Sequence, residues 1–362
     1  MGTDVLVGGS GGEQLVSHPL RAVILGEVHA RPFTPVEAPC RVLHFAFDTS
    51  GERAQADRAA LVGFCAQHGV EPLAPADKQH RVVFGGTAMR WEQHSEFTTY
   101  TWELPSAKPA SDAAPFDPPA STLAGPMASV RQPGPLLVAL DLHLLTEAGG
   151  AIAPERIFDR NSIAVAENSD GLALFATNFH TDAAGYVRVL VIDRGLGAER
   201  AGALIQRIVE LETYRTLALL GLPEAQRLSP AINRIERRLA EVTEEMRRAA
   251  DLVDNRRLLD ELMALAAELE AGAAASLFRF GASRAYNEIV QLRLQTIGER
   301  KVDGFPTWSS FLARRMAPAM RTCITTQERQ ANLSQSSRAR QTCCARESRS
   351  KWSSRTATCS SP

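Results

Sequence analysis

The longest regular pattern in the chain is helical and covers residues 201–333. Apolar residues recur there at intervals of three and four, as in Leu204, Ile208 and Leu211, which is the spacing of one face of an α-helix. Over residues 232–269 this apolar stripe continues with charged residues between its members. We therefore predict long antiparallel helices that pair as a coiled-coil-like hairpin, and the rest of the fold has to be arranged around them.

Glycine and proline residues predict where these helices begin and end. Gly221 ends the first helix, while Ser229 and Pro230 are typical of the N-cap and the first residue of the next one. We also expect a bend near residues 254–255 and a turn at residues 302–306, after which the helical spacing resumes.

The part of the chain that precedes the helices has the pattern of an α+β domain. Strand-like segments lie at residues 40–47, 82–84, 88–93, 97–102, 136–145, 162–166, 172–179 and 186–192. Residues 52–68 have helical spacing and end at Gly69, a typical C-cap. The predicted fold class is therefore α+β, with an N-terminal mixed α/β domain, a long antiparallel helical region and a disordered tail. The predicted divisions are a disordered leader (1–16), a globular domain (17–194), a helical stalk (201–333) and a tail (334–362).

Composition and charge exclude several classes of protein. The 362 residues are 44% hydrophobic and 22% charged, and a net charge of -1 gives no overall attraction to nucleic acid. No apolar run approaches the roughly 18 residues that span a bilayer, so we expect the chain as given to be soluble and cytoplasmic. The six cysteines form neither a disulfide framework nor a zinc spacing, which fits a reducing compartment.

Two groups of polar residues are candidates for a functional site. One is a loop with His18, Glu27, His29 and Arg31, and the other is a hairpin segment with Glu92, His94 and Glu96. His and carboxylate side chains at positions i and i+2 of a strand point to the same side, so these groups can bind a divalent metal. We favour the simpler interpretation of a buried polar loop whose charges satisfy one another. No other cofactor is predicted.

Asp141 and His143 form a further pair at positions i and i+2 of a predicted strand. They can act as an acid and a base, but no Ser or Cys nucleophile stands in a recognisable elbow. The glycines of residues 8–12 are not followed by a strand-to-helix transition and do not make a phosphate loop. The residues therefore favour a non-enzymatic protein, with catalysis as the alternative.

Several motifs resemble the signatures of a known family. They are HPLR at residues 18–21, EVHARPF at 27–33, WEQHSEFTTY at 91–100, FRFGASRAY at 278–286 and RMAPAMRTC at 315–323. In this order they resemble a bacterial, uncharacterised, membrane-anchored family, domain-of-unknown-function family 3422, over residues 17–333. The resemblance implies no established activity. It also implies two transmembrane helices at the C-terminus, which this chain lacks.

The last residues break the helical pattern. Residues 334–362 contain no Leu, Ile, Val or Phe, but nine Ser and three Cys. Solvated disorder is the ordinary explanation of such a tail. We favour a frameshift near Gln335, because residues 338–362 in GC-rich codons, read two bases later, can encode the helical sequence RAADLLRARVEIEVEQQNRDLLQS. The basic residues of the tail then need no nucleic-acid partner.

These observations lead to one favoured function and two alternatives. The favoured function is a non-enzymatic module of a membrane-anchored protein at the cytoplasmic face of the bacterial inner membrane, with a globular domain on a helical stalk. Its expected partners are the membrane, for an intact family member, and a second copy that pairs through the stalk. The alternatives are a metal-dependent enzyme at the His29 and His94 loops, or the soluble part of a CorA-like divalent-cation channel, by fold-level analogy.

Overall fold

A computed structural model describes residues 5–6, 15–21, 24–25, 33–75, 77–105, 115–120, 130–147, 152–248 and 252–358 of the chain. The chain divides into two compact units. The first consists of Met1–Val209 and Ile297–Thr307, and the second of Glu210–Thr296 and Trp308–Pro362. The strands lie in the first unit and long helices dominate the second, which confirms the predicted α+β class.

The strands of the described residues are β1 (Val5–Leu6), β2 (Leu15–Val16), β3 (Cys40–Asp48), β4 (Gln79–Phe84), β5 (Thr87–Gln93), β6 (Phe97–Pro105), β7 (Leu136–Thr146), β8 (Ala164–Glu167), β9 (Ala173–Thr181), β10 (Val187–Asp193) and β11 (Arg300–Lys301). β1 and β2 pair with each other, inside the segment predicted to be a disordered leader. The other nine form one sheet in the order β11-β8-β9-β10-β7-β3-β6-β5-β4. β7 and β10 are parallel, and the remaining pairs are antiparallel.

Helix α1 (Arg53–His68) packs on one face of this sheet and ends at Gly69 in the left-handed conformation, as predicted. Leu61 and Phe64 of the helix join a core with Leu43, Phe45, Trp102 and other buried side chains. The carboxylate of Asp57, also on α1, accepts hydrogen bonds from Trp91 Nε1 (2.8 Å) and Tyr100 Oη (2.6 Å). These bonds fix α1 against β5 and β6.

A second core lies at the β8–β10 side of the sheet. Val165, Leu174, Leu190 and Ile192 are buried there. Phe305, from the segment after the long helix that ends at Ile297, packs against the same cluster. The backbone N–H of Val165 donates to the carbonyl of Pro306 (3.1 Å), so the predicted turn at residues 302–306 is held to the sheet. β11, which precedes this turn, was not predicted from the sequence.

The long helices are α2 (Ala198–Leu219), α3 (Gly221–Arg248), α4 (Leu252–Ile297) and α5 (Trp308–Thr358). The break predicted at Gly221 is present, because α2 ends and α3 begins there. The prediction that a helix begins at Ser229 and Pro230 is wrong, because α3 runs through both residues. Ser229 Oγ instead donates to the carbonyl of Ala225 (2.8 Å), a side-chain bond that α-helices accommodate.

Helices α3 and α4 pair in antiparallel fashion within the second unit. Ile235, Leu239 and Val242 of α3 form a buried cluster with Leu258, Leu262 and Leu269 of α4. Arg238 of α3 binds Glu261 of α4, with Nη2 2.8 Å from Oε2. Burying such a stripe stabilises the pair by about 1.5–3 kcal/mol per large side chain, more than the partly exposed ion pairs contribute.

Helix α5 continues through residues 334–358, part of the tail that the sequence predicts to be disordered. Two of its residues contact α4. The buried Ser337 donates from Oγ to the carbonyl of Leu262 (3.5 Å), and Gln341 Nε2 donates to the same carbonyl (3.4 Å). These contacts extend the helix although the segment lacks large aliphatic residues. Among the described residues, no helix is both long and apolar enough to cross a membrane.

Candidate functional site

The structure brings together only some of the predicted site residues. Glu92, His94 and Glu96 lie at the turn end of the β5–β6 hairpin. His18 is exposed, and its ring Nδ1 accepts a hydrogen bond from the backbone N–H of Leu20 (3.2 Å). The other three members of the predicted site lie outside the described residues: Glu27, His29 and Arg31. Both interpretations of the two groups, the favoured polar loop and the alternative metal site, therefore stay predictions.

Polar side chains line the face of the sheet opposite to α1. Arg90, Thr101 and His44 are cross-strand neighbours on β5, β6 and β3. They alternate along their strands with core residues such as Phe45, so they point away from α1. Together with Glu92 and His94 they make up a polar set that we call the hairpin cluster: His44, Arg90, Glu92, His94 and Thr101.

His44 is the most buried ionisable group of the hairpin cluster, with 1% of its surface exposed. Its ring Nδ1 lies 2.8 Å from Thr101 Oγ1. Burial lowers the pKa of His44 from 6.5 to about 3, and the nearby charges of Arg90 and His94 act in the same direction. His44 is therefore neutral at physiological pH and serves as a hydrogen-bonding group.

Arg90 and Glu92 form a loose pair, with 3.7 Å between Arg90 Nε and Glu92 Oε2. Arg90 is only 8% exposed. Within the described part of the chain, neither Arg90 Nε nor the hydroxyl of Thr99 has a hydrogen-bond partner. Each buried, unsatisfied group costs about 1–3 kcal/mol. The loose Arg90–Glu92 pair therefore leaves part of the hydrogen-bonding capacity of the cluster unused.

The donor set of the hairpin cluster does not by itself make a metal centre. Among the described residues, no group of three or more His, Cys, Asp and Glu side chains is placed to hold a metal ion. The His94 ring stacks on the ring of Phe97, with the ring centroids 4.0 Å apart, and this contact holds part of the imidazole surface.

The second pair, Asp141 and His143, lies on β7 and is buried, and the ring of Phe116 lies next to that of His143. Asp141 accepts two hydrogen bonds from Arg41, Nε to Oδ1 (2.8 Å) and Nη2 to Oδ2 (2.6 Å). His143 Nδ1 is hydrogen-bonded to the carbonyl of Pro115, and burial lowers the pKa of His143. The guanidinium holds the carboxylate of Asp141, so the arrangement favours a structural ion pair over the alternative of an acid and a base.

Arg41, His44 and Arg90 were not predicted as members of these clusters. The sequence contains one indication of these clusters, since Arg41 and His44 interrupt the otherwise apolar segment that forms β3. A charged residue in a buried strand requires a partner. The sequence does not say which partner, since the partners of Arg41 and His44 lie 100 and 57 residues away.

The fold and these clusters define a class of protein, in which a mixed-sheet unit with buried polar groups is joined to a unit of very long helices. The chain belongs to the family described as proteins of unknown function (DUF3422), whose sequence profile matches residues 16–343. The match confirms the family resemblance carried by the motifs, and it extends past the frame break proposed near Gln335. No curated protein and no solved structure matches the chain.

Proposed function

We propose that the chain is the non-enzymatic part of a membrane-anchored bacterial protein, a sheet unit and a helical stalk at the cytoplasmic face of the inner membrane. The length of the helices supports this proposal above all. α4 has 46 residues and lies entirely before the proposed frame break, so at 1.5 Å per residue it extends about 69 Å. A small domain is only about 30 Å across. Helices of this length are suited to hold a domain at a distance.

The state of the buried carboxylates supports a non-enzymatic role. Asp141 is bound by Arg41, and Asp57 accepts hydrogen bonds from Trp91 and Tyr100. Both groups are nearly or fully inaccessible to solvent. A carboxylate that is buried and saturated with donors stabilises a fold, whereas a general base has to reach a substrate proton.

In this proposal two transmembrane helices follow the stalk, in a reading frame that diverges near Gln335. The support is the change of composition in residues 334–362. The test is to sequence the gene beyond codon 333 and to express two versions, one in each frame. The frame-corrected product should sediment with membranes and resist alkaline extraction, whereas the 362-residue chain should be extracted. An extractable frame-corrected product would contradict membrane anchoring.

A metal-dependent enzyme at the His29 and His94 loops is the second candidate, and it needs ligands from outside the described residues, because Glu92, His94 and Glu96 alone are not placed to hold a metal ion. The test is the metal content of the purified full chain after incubation with Mg²⁺, Co²⁺ or Zn²⁺. The matched variants are His94→Ala and, as a control, His180→Ala at an exposed position. Stoichiometric metal that is lost only in His94→Ala would favour the enzyme. The absence of bound metal in all three chains would count against the metal-dependent enzyme and leave the non-enzymatic proposal.

A further inference from the structure

An open groove runs between α4 and α5 in the helical unit. It contains two cavities of about 510 and 580 Å³. The first is lined by Leu277 and Phe280 and the second by Met320 and Ile324, among others. Between the two cavities, Arg284 donates a hydrogen bond to Gln327 (2.5 Å). The groove therefore follows one face of the helix pair, with a bridge near its middle.

The apolar surface of this groove is incompletely covered. Phe280 and Met320 are buried at its floor. Leu277 and Ile324, which line the two cavities, are 63% and 42% exposed. Exposed apolar side chains in both cavities favour a surface that another molecule covers. Both cavities are lined by residues of α4 and α5, and the groove between two paired helices is a place where a third helix can pack.

The charges on α5 indicate what that molecule is. Arg321 and Glu328 both line the second cavity, and neither forms an ion pair with any described residue. Ile324 and Thr325 lie at the midpoint between them. If a second α5 crosses in the opposite direction at this midpoint, Arg321 of each copy lies opposite Glu328 of the other. A two-fold axis thus creates two reciprocal ion pairs around a shared apolar centre.

We infer that the groove between α4 and α5 binds a second copy of this chain, with the two α5 helices antiparallel about residues 324–325. Ala317 and Ala331 lie seven residues on either side of Ile324 and line different cavities. Their small side chains let a second helix approach on both sides of the centre. The interface involves only the described helices, so it does not depend on the proposed membrane anchor.

Charge reversal in the full chain tests this arrangement. Arg321→Glu and Glu328→Arg each place like charges opposite each other, and each should raise the dimer dissociation constant at least about tenfold. The double variant Arg321→Glu/Glu328→Arg should restore dimerisation. An equimolar mixture of the two single variants should also dimerise, because both pairs in the mixed dimer are again complementary.

Sedimentation equilibrium measures these dissociation constants. Within one helix the two residues are about 10.5 Å apart along the axis, too far to pair directly, so rescue by the mixture identifies contacts between copies. A wild-type chain that stays monomeric at every concentration would overturn the inference. So would a dimer that both single variants leave unchanged, or one that neither the double variant nor the mixture restores.

A matched pair of apolar variants locates the centre of the interface. Ile324→Lys should abolish the dimer, whereas Val253→Lys, at a 78% exposed position of α4 that does not line the groove, should not. Circular dichroism checks that both variants keep their helices. Loss of the dimer in Val253→Lys with retention in Ile324→Lys would contradict the proposed site.

Discussion

His44 makes the stability of the sheet unit sensitive to acid. Its pKa is lowered to about 3 in the folded chain, against an ordinary value of 6.5. Between these values the unfolded chain binds a proton that the folded chain does not, so stability is lost as the pH falls. We expect the free energy of unfolding to decrease by about 1.4 kcal/mol per pH unit from this group. In His44→Gln that part of the slope should disappear, as measured by urea unfolding between about pH 6.5 and 4.

The exposed His180 provides the control for this experiment. His180→Gln should keep the wild-type slope. His143, whose pKa is also lowered by burial, adds a contribution of the same sign that remains in His44→Gln. If wild type and His44→Gln lose stability at the same rate, His44 is not buried in its neutral form.

The ion pair between Arg41 and Asp141 gives a second prediction at this scale. Arg41→Met leaves the buried carboxylate without its partner, so we expect a loss of about 3–5 kcal/mol in denaturant unfolding. The double variant Arg41→Met/Asp141→Leu should recover much of that loss, because no uncompensated charge remains. The exposed pair Arg53–Asp48 is the control, and Arg53→Ala should cost about 0–1 kcal/mol. Equal losses in Arg41→Met and the double variant would mean that packing, and not charge, determines the effect.

The polar residues could be predicted from the sequence only where they are close in the chain. Glu92, His94 and Glu96 follow the i, i+2 rule, and the structure places them at one hairpin end. Arg90 on β5 and His44 on β3 lie on either side of Thr101 on β6. The order of the strands in a sheet cannot be deduced from local spacing. For the same reason the sequence left an acid–base role for Asp141 open as an alternative, since its partner Arg41 lies 100 residues away in the chain.

At the scale of single elements, the fit of α2 against the segment before β3 depends on a glycine. A Cβ atom on Gly202 would lie 1.9 Å from the carbonyl oxygen of Thr34. Gly202→Ala therefore forces one backbone away from the other, and overpacking of this kind costs about 1–3 kcal/mol. Gly63→Ala in α1 is the matched control, since nothing lies within 4 Å of its Cβ position. It should stabilise the chain by about 0.5–1 kcal/mol.

Denaturant midpoints of the two glycine variants provide the measurement. The expected shifts have opposite signs although the chemical change is the same, one methyl group on a helix. A stabilised Gly202→Ala variant would show that α2 and the Thr34 segment do not approach as closely as described.

Elements with strong local signals were predicted well. The β5–β6 hairpin and the end of α1 at Gly69 came from alternation and from C-cap chemistry. The position of Pro230 was misread because proline is favoured at the start of a helix but is also tolerated inside one when packing compensates for the lost bond. β11 has two residues, too few for any periodicity, and only its pairing with β8 makes it a strand.

At the scale of the whole molecule, α5 should have a stabilising part and a dispensable part. Ser337 is buried, and Arg340 Nη1 donates to the carbonyl of Leu239 (3.1 Å). Residues 343–362 contain no Leu, Ile, Val or Phe. A chain that ends at Thr342 should therefore unfold within about 0.5 kcal/mol of the full chain, and one that ends at Leu333 should be less stable. Thermal unfolding compares the three chains.

A stabilised chain ending at Leu333 would contradict the contacts of Ser337 and Arg340, and a large loss on ending at Thr342 would assign a structural role to the last residues.

The bounds of the two units could not be predicted from the sequence. Ile297–Thr307 belongs to the unit that contains the strands, although it follows a long helix in the chain.

That late return to the sheet has a consequence for the nascent chain. β8 is paired on its outer side by β11, and the ion pair of Glu167 with Arg300 joins residues 133 positions apart. At about 5–20 residues per second, a ribosome needs roughly 7–27 s to make the intervening chain. During that interval the edge of β8 offers unpaired N–H and C=O groups to any neighbouring strand. The rate at which the helical segment is translated thus determines how long β8 of the nascent chain remains an unpaired edge strand that can pair wrongly.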